Sequence, residues 1–294
     1  MPILVDCFGL TDQGKVRKNN EDQFLIADLS KSMRVLQSSL PDEDRTRRLG
    51  VHHGKLLLVA DGMGGVAGGE VAAGVAVSTV TSYVLNTMPW FFRVQDGREA
   101  ELEGELKTAL EACQRSVEAA ATSQPGRPSM GTTLTMAYLL WPRLYVVHAG
   151  DSRCYLARGT RLHQVTRDHT VAQQMVERGL LTAEEAEESR WSHVLWNCIG
   201  GGTHDLSPEV YKATLQPSDT VLLCTDGLSK MVPDARIAEI LTRTGTVEEA
   251  CKQLVSEANA GGGTDNITVV IARLRGGTAK DDTMLDGSAF LPQT

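Results

Sequence analysis

Apolar residues fall in this chain into short, dense runs that end abruptly beside an acidic residue. Leu56-Leu57-Leu58-Val59-Ala60 stops at Asp61-Gly62, and Val221-Leu222-Leu223-Cys224 stops at Thr225-Asp226-Gly227. Runs this short and this free of polar alternation predict strands buried on both faces. Elsewhere the period lengthens to three or four. Leu102, Leu106, Leu110, Cys113 and Val117 predict an amphipathic helix over about 99–121, and 71–85, apolar on most sides, predicts a buried helix after a glycine-rich turn. Between 132 and 157 three apolar segments, broken at Trp141-Pro142-Arg143 and Gly150-Asp151-Ser152, predict an antiparallel meander. A helix follows through 178, and Thr182-Ala183-Glu184-Glu185 is a capping-box start for another. Strands over 210–215, 220–224 and 267–274 alternate with helices near 234–241 and 247–260, a mixed order that predicts an α+β layered domain. Two stretches stand outside the pattern. Residues 30–53 are polar and charged and read as a solvated insertion, and 276–294 read as a disordered Gly/Thr/Asp/Pro tail.

The aspartates at the strand ends carry the chemistry. Asp61 and Asp226 close apolar runs, and Asp265, in Gly263-Thr264-Asp265-Asn266, precedes one. A carboxylate in such a place, with no Lys or Arg beside it in sequence, must protonate, find a distant cation or bind a metal. One Asp-Gly alone is more often a turn. Three strand-end aspartates favour an oxygen-liganded divalent ion, Mg²⁺ or Mn²⁺, and no CxxC or HxxxH pair argues for Zn²⁺. Gly62, lacking a Cβ, lets the backbone turn and offer a carbonyl to that ion. Gly62-Met63-Gly64-Gly65 lacks the Lys-Ser/Thr of a nucleotide loop, so phosphate cradling in that sense is not expected.

Arg17-Lys18-Asn19-Asn20-Glu21-Asp22, Asp61-Gly62-Met63-Gly64-Gly65, Gly131-Thr132-Thr133, Gly150-Asp151-Ser152-Arg153, Thr225-Asp226-Gly227-Leu228 and Thr264-Asp265-Asn266 occur in this order. Over residues 4–275 the series resembles the PPM family of metal-dependent protein serine/threonine phosphatases, protein phosphatase type 2C, in its bacterial form. The resemblance implies a four-layer αββα sandwich, two antiparallel sheets flanked by helices. It also implies hydrolysis of phosphoserine and phosphothreonine by direct attack of a water or hydroxide held at a binuclear Mn²⁺ or Mg²⁺ centre. On that pattern Asp61 bridges both ions, Gly62 gives a backbone carbonyl to one, and Asp226 and Asp265 hold the other. Glu21 and Asp22 hold the water shell, and Arg17 grips the substrate phosphate. Asp151 matches the ligand of a third, weaker ion in bacterial members, with His193 nearby, although a plain turn residue is the competing reading. Residues 169–193 match a mobile flap beside the site. The implied partners are phosphorylated proteins, including a bacterial Ser/Thr kinase whose action the enzyme reverses. A catalytically silent phosphoprotein binder, or a switch in a sigma-factor pathway, are the alternatives. Met63 stands where eukaryotic members carry a histidine, and a thioether donates no proton, so the leaving group must be protonated by water.

Composition narrows the setting. A net charge of −8 and a pI near 5.4 argue against nucleic acid or an anionic membrane as standing partners. No apolar run of membrane-spanning length or leader pattern occurs, so a cytoplasmic monomer is expected. The six cysteines are scattered in apolar segments and read as free buried thiols, Cys224 among them.

Overall fold

The computed structural model describes residues 3–34, 47–64, 68–87, 99–123, 130–202 and 206–276. Its elements are β1 (Ile3–Asp12), β2 (Gln23–Arg34), β3 (Arg47–Ala60), β4 (Gly62–Met63), α1 (Gly68–Asn86), α2 (Glu99–Ser123), β5 (Gly131–Thr132), β6 (Leu134–Leu140), β7 (Arg143–Ala149), β8 (Arg153–Arg158) and β9 (Arg161–Gln164). There follow α3 (Val171–Glu177), α4 (Ala183–Glu187), β10 (Ile199–Gly200), β11 (Glu209–Thr214), β12 (Thr220–Cys224), α5 (Asp226–Ser229), α6 (Asp234–Arg243), α7 (Val247–Ala260) and β13 (Ile267–Gly276). One sheet runs β1-β13-β12-β8-β9 and the other β11-β7-β6-β3-β2, every pairing antiparallel. Two-residue β4, β5 and β10 form a small third sheet.

The double burial of the apolar runs explains the layering. Successive strand residues point to opposite faces, and in β3 the two sets meet different neighbours. Leu57 and Val59 pack with Val146, Val221, Leu223 and Val270 in the seam between the sheets. Leu56, Leu58 and Ala60 pack with Ala72, Ala76, Val80, Leu106 and Leu110 of α1 and α2. β12 repeats the arrangement, since Val221 and Leu223 face the seam while Leu222 and Cys224 face Ile237, Ile240 and Leu254 of α6 and α7. The layers are therefore helix, sheet, sheet, helix, the expected α+β sandwich. The capping box at Thr182 is present, with Thr182 Oγ1 accepting from Glu185 N and Glu185 returning the bond, and Thr246 with Glu249 builds a second at α7.

Two expectations need correction. The segments 143–149 and 153–157 are not neighbours in one meander: β7 lies in the second sheet and β8 in the first. Gly150-Asp151-Ser152 is the crossing between sheets, made possible by Gly150 at φ +123, where a Cβ would fall 2.4 Å from the Thr133 Cβ. The polar stretch 30–53 is in part strand, because β2 and β3 continue pairing as far as Arg34 with Arg47 around an irregularity between Ser30 and Ser32. Ladder bonds use only backbone groups, so an apolar pattern is not required for them. Residues 35–46 and the tail beyond Gly276 lie outside the described residues. Among the described residues no helix is long and apolar enough to cross a membrane, and all six cysteines are free, five of them buried. Burial pushes the Cys224 thiol up to about 12, so it serves as core and not as a nucleophile.

Candidate metal centre

The strand ends converge on one cleft of about 600 Å³. Asp61 follows β3, Asp226 opens α5 after β12, Asp265 precedes β13, and Arg17 and Glu21 belong to the loop between β1 and β2. Asp151, on the crossing between sheets, and His193 also line it. Asp22 lies behind, 3% exposed. Every site residue expected from sequence is thus at this cleft or against it.

Local bonding fixes the Asp61 backbone and the Asp22 carboxylate. Asp61 N donates to Thr133 Oγ1 at 3.0 Å, and Asp61 O accepts from Thr133 N and Thr132 Oγ1, both at 2.9 Å. Thr133 Oγ1 is 2.7 Å from Ser152 Oγ, so a buried hydroxyl pair joins the Asp61 turn to the Asp151 crossing. Asp22 Oδ2 accepts from Thr225 Oγ1 at 2.8 Å and Thr268 Oγ1 at 2.7 Å. Gly62 is pressed against two backbones, and a Cβ there would lie 2.2 Å from Gly69 O and 2.6 Å from Glu21 O; any side chain would drive them apart. Asn266 staples the Arg17 loop, its Nδ2 donating to Gln13 O and Asn19 O at 2.9 Å and its Oδ1 accepting from Glu21 N at 2.8 Å.

The electrostatics are those of crowded negative charge. Burial, then Asp22, Asp226, Asp151 and Asp265, hold the Asp61 carboxyl well above the usual range. Burial raises Asp22 to about 7, against the pull of the Thr268 and Thr225 hydroxyls. Burial and then Asp226 raise Asp151 to about 7, opposed by Lys230. Two cations answer part of the charge. Arg17 Nη2 donates to Asp265 Oδ2 at 2.6 Å with the arginine side chain 56% exposed, and Lys230 Nζ donates to Asp226 Oδ2 and, at 2.7 Å, to His193 Nδ1. Among the described residues no three Asp, Glu, His or Cys side chains already surround one point as a ligand set.

The donor chemistry nonetheless fits divalent cations. Asp22 Oδ1 and Asp226 Oδ1 are buried without a hydrogen-bond partner, an arrangement that costs several kcal/mol for an ionised oxygen unless a cation faces it. The donors in the cleft are carboxylate and carbonyl oxygens, the set that Mg²⁺ and Mn²⁺ take. Lys230 escaped the sequence reading, although Asp226 and Lys230 stand at i and i+4 across a helix start, a spacing that pairs opposite charges. The Thr225 and Thr268 support of Asp22 and the Asn266 staple carried no such local signal.

The protein phosphatase 2C family model matches residues 34–258, and the chain belongs to that family. It is 34% identical over 262 residues to the serine/threonine protein phosphatase PstP of Mycobacterium tuberculosis, covering 89% of this chain and 43% of PstP. The chain therefore spans less than half the length of that relative. The Listeria innocua serine/threonine phosphatase stp is 29% identical over 261 residues, covering 89% of this chain and 92% of its own. The crystal structure of the PstP catalytic domain in complex with two manganese ions superposes with a TM-score of 0.72 at 31% identity, over 94% of this chain and all of that one.

Proposed function

We propose that the chain is a protein phosphatase hydrolysing phosphoserine and phosphothreonine, with two divalent cations, Mn²⁺ or Mg²⁺, in the acidic cleft. The observation that carries this reading is the meeting of Asp22, Asp61, Asp226 and Asp265 from distant parts of the chain, two of them with buried, unpartnered oxygens. The manganese pair of the related PstP domain supports it. Asp61, the Gly62 carbonyl, Asp226 and Asp265 would hold the ions, and Glu21 and Asp22 would order the water around them. Bound there, two such ions neutralise phosphoryl charge and make a water more acidic.

The remaining work falls to the chain's own side chains. Arg17 carries five N–H donors in a planar fork, so it can keep Asp265 and still grip two phosphate oxygens. Asn266 fixes the loop that presents it. Met63 lines the cleft but donates no proton, leaving solvent water to protonate the departing seryl or threonyl oxygen. Phosphoserine and phosphothreonine on proteins are kinase products, so a Ser/Thr kinase and its substrates are the proposed partners, and the segment 169–193 at the cleft edge is the proposed flap that meets them.

Purified protein supplied with Mn²⁺ and a phosphothreonine peptide is expected to release inorganic phosphate. Binding of the peptide without release would make the chain a phosphoprotein reader instead.

A further inference from the structure

Among the described residues Lys230 is the cation bonded to Asp226 and near Asp151, and the motif Thr225-Asp226-Gly227-Leu228 stops short of it. Its ammonium has three N–H donors. One goes to Asp226 Oδ2 and one to His193 Nδ1 at 2.7 Å, and Asp151 Oδ2 lies 3.9 Å away. The ammonium therefore stands between the carboxylates of Asp226 and Asp151, with His193 as its third neighbour. Asp226 divides its two oxygens: Oδ2 is taken by Lys230, while Oδ1 is buried and unpartnered. Asp151, 7% exposed, faces Lys230 as its nearby positive charge.

We propose that Lys230 is a built-in cation that takes the place of a third divalent ion, so that this chain holds two metal ions and not three. The inference rests on the two-ion reading above. Charge counting supports it: Glu21, Asp22, Asp61, Asp151, Asp226 and Asp265 carry six negative charges when ionised, two divalent ions supply four positive ones, and the two cations bonded to these carboxylates, Arg17 and Lys230, supply the other two. A third divalent ion between Asp151 and Asp226 would have to expel the ammonium from the oxygen it bonds, or sit beside it and be repelled. The lysine is also tethered, so no concentration of free metal is needed to keep that charge in place.

The test counts Mn²⁺ ions per chain by equilibrium dialysis at saturating metal. Wild-type protein is expected to bind two, Lys230→Met three, and Lys230→Met with Asp151→Asn two again. Lys230→Gln repeats the measurement should the methionine variant fold poorly, and Lys230→Arg should stay at two. A wild-type count of three that falls to two in Asp151→Asn overturns the proposal, as does a count of two in both folded neutral variants. A wild-type count that Asp61→Asn leaves unchanged overturns the two-ion centre itself, and this inference with it.

Discussion

Arg17 is more than half exposed, yet it is held in place from both sides: Gln13 Nε2 donates to its carbonyl at 2.7 Å and its own Nη2 reaches Asp265. A charge-assisted hydrogen bond to a phosphate is worth about 1.5–3 kcal/mol, so Arg17→Ala should raise KM for a phosphothreonine peptide roughly 10–100-fold while the Mn²⁺ count stays unchanged. Loss of metal in step with KM would show that Arg17 serves the carboxylates and not the phosphate. Asp61, Asp226 and Asp265 were legible in the sequence because each borders an apolar run, and Arg17, Glu21 and Asp22 because they share one short motif. Asn266 was not legible as a clamp, since the groups it bonds are 245 to 253 positions away in the chain. Lys230 was missed for a different reason. Its role depends on Asp151 and His193 coming to the same point, which no local pattern encodes.

Strand β3 brings Asp61 to the cleft by being buried on both faces, so its stability and the site's geometry depend on the same residues. Leu57 is fully buried in the seam between sheets, and Leu57→Ala should cost about 2–5 kcal/mol of unfolding free energy in a urea titration. A loss below about 1 kcal/mol would mean the seam collapses around the cavity. Thr246 caps α7 on the outer layer, and Thr246→Ala should cost about 1 kcal/mol and leave phosphatase turnover unaltered. Helices were read well from sequence because the three-to-four period and the capping residues are local. Strand partners were read less well. Nothing between Leu144 and Ala157 marks β7 and β8 as members of different sheets, because only Gly150 and its contact with Thr133 make the crossing.

Across the whole molecule the two sheets are also joined by buried polar groups, and one of them gives stability an acid-sensitive part. His148 is fully buried, its Nδ1 2.8 Å from Thr135 Oγ1 and its Nε2 3.0 Å from Arg167 O. The Arg167 carbonyl can only accept, so Nε2 carries a proton, and the single hydroxyl proton of Thr135 lies between His148 Nδ1 and Ser152 O, the latter 3.0 Å away. Burial, with the nearby His169 adding to it, lowers His148 from 6.5 to about 3. The unfolded imidazole therefore takes a proton that the folded one refuses, and the contribution of His148 to stability should fall as pH drops from 6.5 toward 3, by at most about 1.4 kcal/mol per pH unit, opposite in sign to the raised carboxylates Asp22 and Asp151. Urea unfolding at pH 7 and pH 5 should show the wild type losing stability relative to His148→Gln as pH falls; a difference that does not change with pH would assign the acid sensitivity elsewhere. The layered α+β fold was legible from the mixed order of strands and helices, whereas the sheet order was not, because pairing partners such as β1 and β13 stand at opposite ends of the chain. The same long-range closure builds the acidic cleft, and its purpose is tested most directly by titrating Mn²⁺ into metal-stripped protein while following phosphate release from a phosphothreonine peptide. Phosphate release should be absent without metal, rise saturably with it, and fall about a hundredfold or more in Asp61→Asn at saturating metal. Equal turnover in stripped protein, or in Asp61→Asn, would contradict a metal-dependent site.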